Sequence, residues 1–491
     1  MTKYIIINQN DNVMVALENI TSGTVVNDIV VLSDIVQGHK IALKDIKKGE
    51  DIIKYGFSIG HATADIKKGE HVHVHNVATN LGETLSYEYK PLFEKINIKS
   101  KDRSINVYKR PNGDIGIRNE LWIIPTVGCI VGQARQIAKI FAQNHPELDN
   151  YDGIHVFSHP FGCSQMGDDH ENTKETLQNI SLHPNAGGVL VLGLGCENNQ
   201  VKEFRESYQY DPNRIKFLVM QEVDDEISEA NQLLETLYQI LIKDKRQKTP
   251  ISQLKVGVKC GGSDGFSGIT GNPLLGKFTD YLTHYGGSIV QTEVPEMFGA
   301  EKIFMQRAQN KEVFEKIVKM INDFKEYYNS HNQVIYDNPS PGNKNGGITT
   351  LEDKSLGCTQ KGGQAIVVDA LEHTQRVTKK GLNLISAPGN DLVSVTTLAM
   401  SGAHLVLFST GRGTPFGGFV PTIKVSTNTD IYNRKKSWID FNAGQLVDGK
   451  VMDDVLEEFI DFIVDTANGR KTNNEQNEFR EIAIFKDGVF L

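Results

Sequence analysis

The sequence predicts an α/β protein of several domains, in which a small all-β module precedes domains built on parallel sheets. The chain has 491 residues, more than one ordinary hydrophobic core holds, so two or three domains are expected. Residues 1–76 contain only short apolar segments separated by Asp, Asn and Gly, which is typical of β structure. Beyond residue 104, short apolar runs alternate with helical periodicity, and this alternation predicts parallel sheets.

The N-terminal module, residues 1–76, carries an internal repeat. The sequence Asp-Ile-Lys-Lys-Gly-Glu occupies residues 45–50 and recurs at residues 65–70. Each copy reads as a glycine turn followed by a short strand. Two such units predict a small barrel or a clip of paired hairpins.

Two α/β domains are predicted after a polar linker at residues 77–104, namely a central domain at 105–246 and a C-terminal domain at 247–491. Residues 332–363 are rich in Gly, Pro and Asn and predict a long irregular loop, which in a compact domain indicates a functional segment. The predicted strands occupy 121–125, 154–158, 189–194, 215–220, 254–259, 289–293, 382–386 and 405–409. The predicted helices occupy 132–144, 172–182, 224–243, 273–284, 311–329 and 392–402.

Charge and cysteine content limit the classes of function. The chain has 61 Asp and Glu against 52 Lys and Arg, a net charge of −9, and no basic run, so no nucleic-acid partner is expected. The apolar run at residues 4–7 is too short for a signal peptide, and no window predicts a membrane span. The five cysteines are scattered and odd in number, which predicts reduced thiols in a cytoplasmic protein.

All five cysteines lie beside glycine-rich turns. Four follow predicted strands, where open α/β sheets bind ligands, and the fifth lies in the long loop. A single buried cysteine is usually a small apolar residue, but thiolates also select iron and zinc. No Cys-x-x-Cys pair is present, which argues against a zinc ribbon. The sequence leaves open which of the five thiols converge: Cys129, Cys163, Cys196, Cys260 and Cys358.

A second group of candidate residues is the histidine run His71, His73 and His75, with valines between them. If this run is a strand, all three imidazoles lie on one face, and neighbours ~6.6 Å apart along the strand are able to share a metal. One or two of these histidines would alternatively act as general acid or base, because histidine titrates near neutrality. The remaining alternative is a solvated edge strand without a special role.

Several polar residues in glycine-rich turns suit a substrate with a carboxylate. Arginine binds a carboxylate through two hydrogen bonds, although exposed arginines are common for other reasons. The candidate cations are Arg118, Lys361 and Arg412. Ser263 and Asp264 open a turn ahead of a helix, which predicts an anion or polyol cradle.

Two glycine-rich segments lack the residues that nucleotide cofactors require. Residues 193–195 lack the third glycine of the dinucleotide fingerprint, and residues 413–418 lack the Lys-Ser/Thr pair of a phosphate-binding loop. Neither NAD nor ATP is therefore expected. Glu293 and Glu296 follow a predicted strand and would suit either a hard metal or helix capping.

Longer motifs resemble the altronate/galactarate dehydratase family almost from end to end. They include Gly-Glu-His-Val-His-Val-His-Asn at 69–76, Gly-Leu-Gly-Cys-Glu-Asn-Asn at 193–199, Cys-Gly-Gly-Ser-Asp-Gly at 260–265 and Ser-Thr-Gly-Arg-Gly-Thr-Pro at 409–415. The resemblance implies three domains: an SAF-like β-clip, a central α/β domain and a C-terminal Rossmann-like domain. It also implies ferrous iron, with Mn²⁺ as a substitute, a homodimer and a sugar-acid substrate.

The activity that the resemblance implies is dehydration of D-altronate to 2-dehydro-3-deoxy-D-gluconate, by removal of the C2 proton and loss of the C3 hydroxyl. A divalent metal would offset the charge that develops beside the carboxylate. We assign catalysis to His73, His75 and Lys361. We assign substrate binding to Arg118, Ser263, Asp264 and Arg412. We assign the metal to a subset of Cys163, Cys196, Cys260, Cys358 and His71.

The sequence leaves three alternatives open. The nearest is a galactarate dehydratase or a sulfolactate-type lyase on the same scaffold, and galactarate would require a second cationic clamp for its second carboxylate. A non-catalytic sugar-acid-binding protein would bind altronate without turnover. A nicotinamide oxidoreductase is disfavoured by the missing dinucleotide fingerprint.

Overall fold

The N-terminal part of the chain folds into an all-β clip, as predicted, in a computed structural model that describes residues 3–82, 86–488 and 490. The strands form a four-stranded sheet in the order β1-β2-β5-β8, a three-stranded sheet in the order β6-β7-β9 and the ribbon β3-β4. Their bounds are β1 (Tyr4–Ile5), β2 (Val13–Ala16), β3 (Val25–Val26), β4 (Ile29–Val30), β5 (Lys40–Ala42), β6 (Asp51–Lys54), β7 (Phe57–Ala62), β8 (His71–Val72) and β9 (Val77–Ala78).

The internal repeat pairs with itself inside the clip. The backbone N–H of Lys48 donates to Asp65 Oδ1 at 2.9 Å, and that of Lys68 donates to Asp45 Oδ1 at 2.8 Å. The aspartate of each copy therefore stabilises the glycine turn of the other copy.

The prediction of a strand through the histidine run at residues 71–75 is wrong beyond Val72, where β8 ends. Asn76 folds the following residues into a turn, because its Nδ2 donates to His71 O at 2.9 Å and its Oδ1 accepts from the N–H of His73 at 2.9 Å. His73 and His75 consequently do not alternate along a strand. The turn brings the rings of His71 and His75 to a centroid separation of 5.3 Å, much closer than an extended chain allows.

The central part of the chain forms a four-stranded parallel sheet in the order β13-β12-β14-β15, beside a three-stranded antiparallel sheet in the order β11-β10-β16. The strands are β10 (Ser104–Lys109), β11 (Ile115–Gly116), β12 (Glu120–Pro125), β13 (Ile154–Val156), β14 (Ala186–Gly193), β15 (Ile215–Val219) and β16 (Arg246–Pro250). The helices are α1 (Val131–Asn144), α2 (Gly167–Ser181), α3 (Val201–Glu206) and α4 (Glu226–Leu241).

The C-terminal part forms a seven-stranded parallel sheet in the order β19-β20-β18-β17-β21-β22-β23, as the α/β pattern predicts. The strands are β17 (Lys255–Cys260), β18 (Ser288–Gln291), β19 (Val367–Leu371), β20 (Gly381–Ile385), β21 (Leu405–Thr410), β22 (Thr422–Ser426) and β23 (Phe441–Asn442). The helices are α5 (Gly271–His284), α6 (Glu301–Gln306), α7 (Lys311–Ser330), α8 (Pro341–Asn345), α9 (Leu351–Cys358), α10 (Asp391–Met400), α11 (Thr429–Arg434), α12 (Met452–Ala467) and α13 (Asn473–Gln476).

The prediction of a long irregular loop at residues 332–363 is wrong in part, because this segment contains α8 and α9. All eight residues of α9 are buried. Ser340 caps α8 in a reciprocal capping box with Asn343, and Pro341 stands at the first helical position. The high content of Gly, Pro and Asn thus marks short, well-capped helices.

The two parallel sheets share one apolar core, which fixes their relative position. Trp122 and Val189 of the central sheet belong to the same buried cluster as Leu398 of α10 and Val406 of β21. None of the helices in the described ranges combines the length and apolar character needed to cross a membrane.

Candidate active site

A polar cleft of about 740 Å³ lies at the carboxyl edge of the seven-stranded sheet. Cys260, the last residue of β17, and Asp391, the first residue of α10, border the cleft from the sheet. Ligands of open parallel sheets bind at this edge. The other walls carry amide, hydroxyl and ammonium groups, which are suited to bind a small molecule with several hydroxyl groups. These groups belong to Tyr328, Asn338, Ser340, Asn343, Lys344 and Lys354.

Two buried carboxylates beside the cleft are each paired with lysine. Glu293 accepts hydrogen bonds from Lys259 Nζ at 2.5 Å and from Lys361 Nζ at 2.8 Å. Glu296 accepts from Lys354 Nζ at 2.9 Å. Burial alone would raise the pKa of Glu296, but these lysines outweigh it and lower that pKa to about 2. Glu296 is therefore ionised at neutral pH.

Cys260 and Cys358 meet beside these carboxylates and are the two fully buried thiols of the chain's described part. The Cys260 Sγ lies 2.7 Å from Ser263 Oγ, and the Cys358 Sγ donates to Glu296 Oε2 at 3.0 Å. The proximity of the two thiols lowers the pKa of Cys260 well below its ordinary value and raises that of Cys358. The pair therefore favours one thiolate, at Cys260, on the wall of the cleft.

A cluster of imidazoles lies on the clip, and it includes His39, which no local sequence motif indicates. His39, His71 and His73 each offer one ring nitrogen, and these nitrogens lie within 4.8 Å of one another. His39 comes directly before β5, and β5 pairs with β8 so that Ile41 stands opposite His71. Only this long-range pairing brings His39 to the histidine run.

The histidine cluster fits a divalent transition metal. His73 Nδ1 is buried and has no hydrogen-bond partner among the described residues. Burial lowers the pKa of all three histidines. It lowers the pKa of His71 to about 4 and that of His73 to about 3, and it is also the largest cause of the lowered pKa of His39. The three rings are therefore neutral at pH 7, so each has one nitrogen with a lone pair. His39 Nδ1 and His71 Nε2 lie 3.0 Å apart and share a hydrogen bond, which a metal ion between the rings would replace. Neutral imidazole is a ligand for iron, zinc and copper.

Helix α8 connects the histidine cluster with the cleft. His39 Nε2 lies 3.2 Å from Asn345 O at the end of α8, and Asn343 and Lys344 of the same helix line the cleft. Asn343 Nδ2 also donates to Ser263 O at 2.8 Å. The five-residue helix thus has one end at the imidazoles and one side at the cleft.

Arg118 does not bind substrate as predicted. Its side chain is fully buried, and its Nε and Nη2 donate to the two carboxylate oxygens of Glu475 at 2.7 and 2.9 Å. Its remaining N–H groups donate to backbone oxygens of Ile117, Thr466 and Arg470. All five donors of the guanidinium are used, so Arg118 joins the central domain to α12 and α13.

The other predicted binding residues lie around the cleft in different roles. Lys361 is fully buried and forms an ion pair with Glu293. Its ammonium group therefore lies behind the cleft wall and does not contact a ligand in the cleft. The Asp264 carboxylate accepts from the hydroxyls of Ser267 and Thr427 and so organises its own loop. Ser263 contacts Cys260. The Arg412 side chain is exposed, and its backbone N–H donates to the O of Gly262, a cleft residue.

The structure divides the predicted cysteine ligands between two places, so no single site holds all of them. Cys260 and Cys358 lie at the C-terminal cleft, whereas Cys163 and Cys196 lie at the carboxyl edge of the central sheet together with Cys129. His71 belongs to the separate imidazole cluster. The sequence pattern correctly indicated strand ends but contained no information about which strands are neighbours.

Three family models match the chain. Residues 2–80 match the altronate/galactarate dehydratase SAF domain, residues 107–241 match the second domain of D-galactarate dehydratase/altronate hydrolase, and residues 251–490 match the C-terminal part of D-galactarate/altronate dehydratase. These matches define a hydro-lyase composed of a clip and two α/β domains.

Full-length relatives agree with these matches. The chain is 56% identical to the altronate dehydratase of Escherichia coli (strain K12) and 54% identical to that of Bacillus subtilis (strain 168), with 100% of each chain covered. It is 32% identical to the galactarate dehydratase (L-threo-forming) of Escherichia coli, over 98% of this chain and 96% of the relative. The chain therefore belongs to the altronate/galactarate dehydratase family, which confirms the resemblance seen in its motifs.

Proposed function

We propose that this enzyme dehydrates D-altronate to 2-dehydro-3-deoxy-D-gluconate. The observation that carries the proposal is the full-length identity of 56% and 54% to two altronate dehydratases, against 32% to a galactarate dehydratase. The polar cleft at the carboxyl edge of the seven-stranded sheet supports it, because its walls offer several hydrogen-bonding partners for a chain of hydroxyl groups.

Substrate binding is assigned to the cleft and its rim. Asn338 and Ser340 would contact the hydroxyl groups, because both line the cleft. Lys344 also lines the cleft, and Arg412 stands beside the cleft residue Gly262. Neither of these two cations forms one of the buried ion pairs, so each has N–H donors for the single carboxylate of altronate. Lys354, in contrast, is committed to Glu296.

Ferrous iron, with Mn²⁺ as a substitute, is assigned to His39, His71 and His73. Support comes from the three converging ring nitrogens and from the unpartnered Nδ1 of His73. When bound, the ion would supply positive charge that offsets the negative charge developing as the carbon next to the carboxylate loses its proton. This assignment replaces the cysteines as ligands of the catalytic ion and adds His39.

Proton transfer is assigned to His75. Its ring is exposed and lies 5.3 Å, centroid to centroid, from that of His71, so it stands at the edge of the imidazole cluster. His75 would take the proton from C2 and return it to the hydroxyl that leaves C3 as water. The resulting enol gains a proton at C3 from solvent and becomes the 2-keto acid. His73 would then serve as a ligand and not as the acid or base.

We also propose that the enzyme works as a cytoplasmic homodimer. Five free cysteines suit a reducing compartment. The ribbon β3-β4 and the following residues expose apolar side chains that a second copy would cover, and these are Val25, Val30, Leu32 and Val36. Light scattering of the purified protein measures the oligomeric state, and a monomer would contradict the dimer without affecting the assigned reaction.

The function is tested by incubating reduced, iron-supplemented enzyme with D-altronate and measuring a 2-keto-3-deoxy acid. Galactarate serves as the matched second substrate, because it has a second terminal carboxylate for which the cleft would need a second cationic clamp. We expect a value of kcat/KM at least tenfold higher for altronate. Absence of product from altronate, with either iron or manganese, would contradict the proposal, and faster turnover of galactarate would reassign the substrate.

A further inference from the structure

Three cysteines lie together at a second edge of the molecule, outside the cleft and the histidine cluster. Cys129 follows β12, Cys163 follows β13 and Cys196 follows β14, and these strands are neighbours in the order β13-β12-β14. The strands are parallel, so their carboxyl ends share one edge of the sheet. All three thiols are exposed and free.

Hydrogen bonds hold the three cysteine loops against one another. The N–H of Gly128 donates to Phe161 O at 2.8 Å, which joins the Cys129 loop to the Cys163 loop. The N–H of Ser164 donates to Asn198 Oδ1 at 2.7 Å, which joins the Cys163 loop to the Cys196 loop. Gly162 has φ +101°, and a Cβ there would stand 2.0 Å from a backbone oxygen, so only glycine permits this approach.

Two long helices begin at the same edge. Helix α1 has 14 residues and starts two residues after Cys129, and helix α2 has 15 residues and starts four residues after Cys163. Neither helix has a side-chain hydrogen bond at its N-cap. The partial positive charge of such helix ends stabilises thiolates and bound anions.

The arrangement of the thiols does not suit a single metal ion. A Zn–S bond of about 2.3 Å requires the sulfurs that share one zinc to lie less than about 4 Å apart. Within the part of the chain that the structure describes, the group of three ligand atoms that lie within 4.8 Å of one another is the imidazole group and not these thiols. Cysteines that hold different iron atoms of a cluster stand further apart than ligands of one ion.

We propose that Cys129, Cys163 and Cys196 bind a [4Fe–4S] cluster at the carboxyl edge of the central sheet. Three thiolates would hold three of the four irons and leave the fourth without a cysteine from this group. That iron would take a small oxygen ligand such as water, hydroxide or a hydroxy acid. The cluster site does not depend on the proposed dehydration or on the histidine-bound ion.

The C-terminal segment connects this edge with the cleft. Asp169, in the first turn of α2, accepts from the N–H groups of Asp487 at 2.7 Å and Gly488 at 2.8 Å. Asp487 lies 3.9 Å from His331, at the end of α7, and the chain continues from there to the cleft residue Asn338. The C-terminal segment therefore contacts both α2, which begins four residues after Cys163, and the end of α7, seven residues before the cleft residue Asn338.

The test is the content of iron and acid-labile sulfide after anaerobic reconstitution with ferrous iron and sulfide. We expect about four labile sulfides per wild-type chain. Cys129→Ser, Cys163→Ser and Cys196→Ser should each lose at least half of the sulfide, whereas the control Cys358→Ser should retain it. Bound iron without labile sulfide in the wild type, or unchanged sulfide in all three variants, would overturn the inference.

Alkylation provides a measurement on the unmodified chain. In the reconstituted protein, iodoacetamide should leave Cys129, Cys163 and Cys196 unmodified, and removal of iron by a chelator should expose all three to mass-spectrometric detection. Equal modification in both states would contradict a cluster. A protein that dehydrates altronate but holds no labile sulfide after reconstitution would contradict this inference alone. A cluster-bearing protein that leaves altronate unchanged would contradict the proposed function alone.

Discussion

The carboxylate of Glu475 and the guanidinium of Arg118 form a fully buried ion pair with two parallel hydrogen bonds, 357 residues apart in sequence. Burial would disfavour both charges, but each is compensated by the other and by further hydrogen bonds. The pair connects the central domain to the end of the chain. An arginine whose sequence context suggests substrate binding therefore holds two domains together.

The stability of the protein should fall at acid pH through this pair. Burial would raise the pKa of Glu475, but Arg118 outweighs it and lowers that pKa from 4.5 to about 2. Because the folded-state pKa is depressed, the contribution is fully present above pH 4.5 and is lost as the pH falls toward 2. Denaturant unfolding should show a free energy of unfolding that decreases between pH 4.5 and pH 2. At pH 7, the Glu475→Gln variant should be less stable than the wild type by about 3–5 kcal/mol. The exposed control Glu147→Gln should change little, and equal effects would contradict the account.

The clip should detach when Asp353 loses its charge. Asp353 accepts from Lys40 and Lys54 of the clip, each at 2.9 Å, and all three side chains are buried. Asp353→Asn leaves two buried ammonium groups without their counter-charge, which costs about 3–5 kcal/mol. Limited proteolysis should then cut the polar segment around residues 86–103 faster. The control Asp65→Asn removes an exposed pair and should leave the cleavage rate at the wild-type value. Similar rates in both variants would show that the pair does not hold the clip.

Metal binding should depend on His39. Replacing His39 by Gln removes one of three converging nitrogens, so in protein loaded with ferrous iron alone, without sulfide, bound iron and turnover should both fall by at least tenfold. The control His61→Gln lies on the same module, outside the imidazole cluster, where its Nδ1 contacts Asn80. Metal content after dialysis measures the effect. Full iron occupancy in His39→Gln would exclude the imidazole cluster as the metal site.

Lys344 should contribute to substrate binding more than to chemistry. Lys344→Met removes a positive charge from the cleft wall, so KM for altronate should rise about tenfold, about 1.4 kcal/mol, with kcat nearly unchanged. Lys311→Met, on an exposed part of α7, is the matched control. Steady-state kinetics separate the two parameters. A large loss of kcat with unchanged KM would assign Lys344 to the transition state instead.

The fold is predictable from the amino-acid sequence where the signal is local. The repeat at 45–50 and 65–70 indicates a clip, and the alternation of apolar runs with helical periodicity indicates parallel sheets. Helix α8 is not predicted from the sequence, because its Gly and Pro indicate a loop more strongly than Ser340 indicates a helix cap. The turn at Asn76 is not predicted from the sequence either, because the alternation of His and Val before it is typical of a strand.

For the candidate site, the sequence predicts the types of chemical group but not which of them lie together. Cysteines at strand ends and histidines in a short run are visible in the sequence, but their grouping depends on strand order and on pairs such as β5 with β8. His39 carries no local motif, and Arg118 is recognised as structural only when Glu475 is placed beside it. The roles of Glu293 and Glu296 follow from their lysine partners, which are distant in sequence.

The most direct measurement of the central claim is turnover of D-altronate in D₂O, with the product analysed by nuclear magnetic resonance. If C2 loses a proton to His75 and the enol is then protonated by solvent, 2-dehydro-3-deoxy-D-gluconate should carry one deuterium at C3 and none of the original C2 hydrogen. His75→Gln should reduce the rate by at least a hundredfold. A product that retains the C2 hydrogen at C3 would indicate a hydride shift and contradict the account.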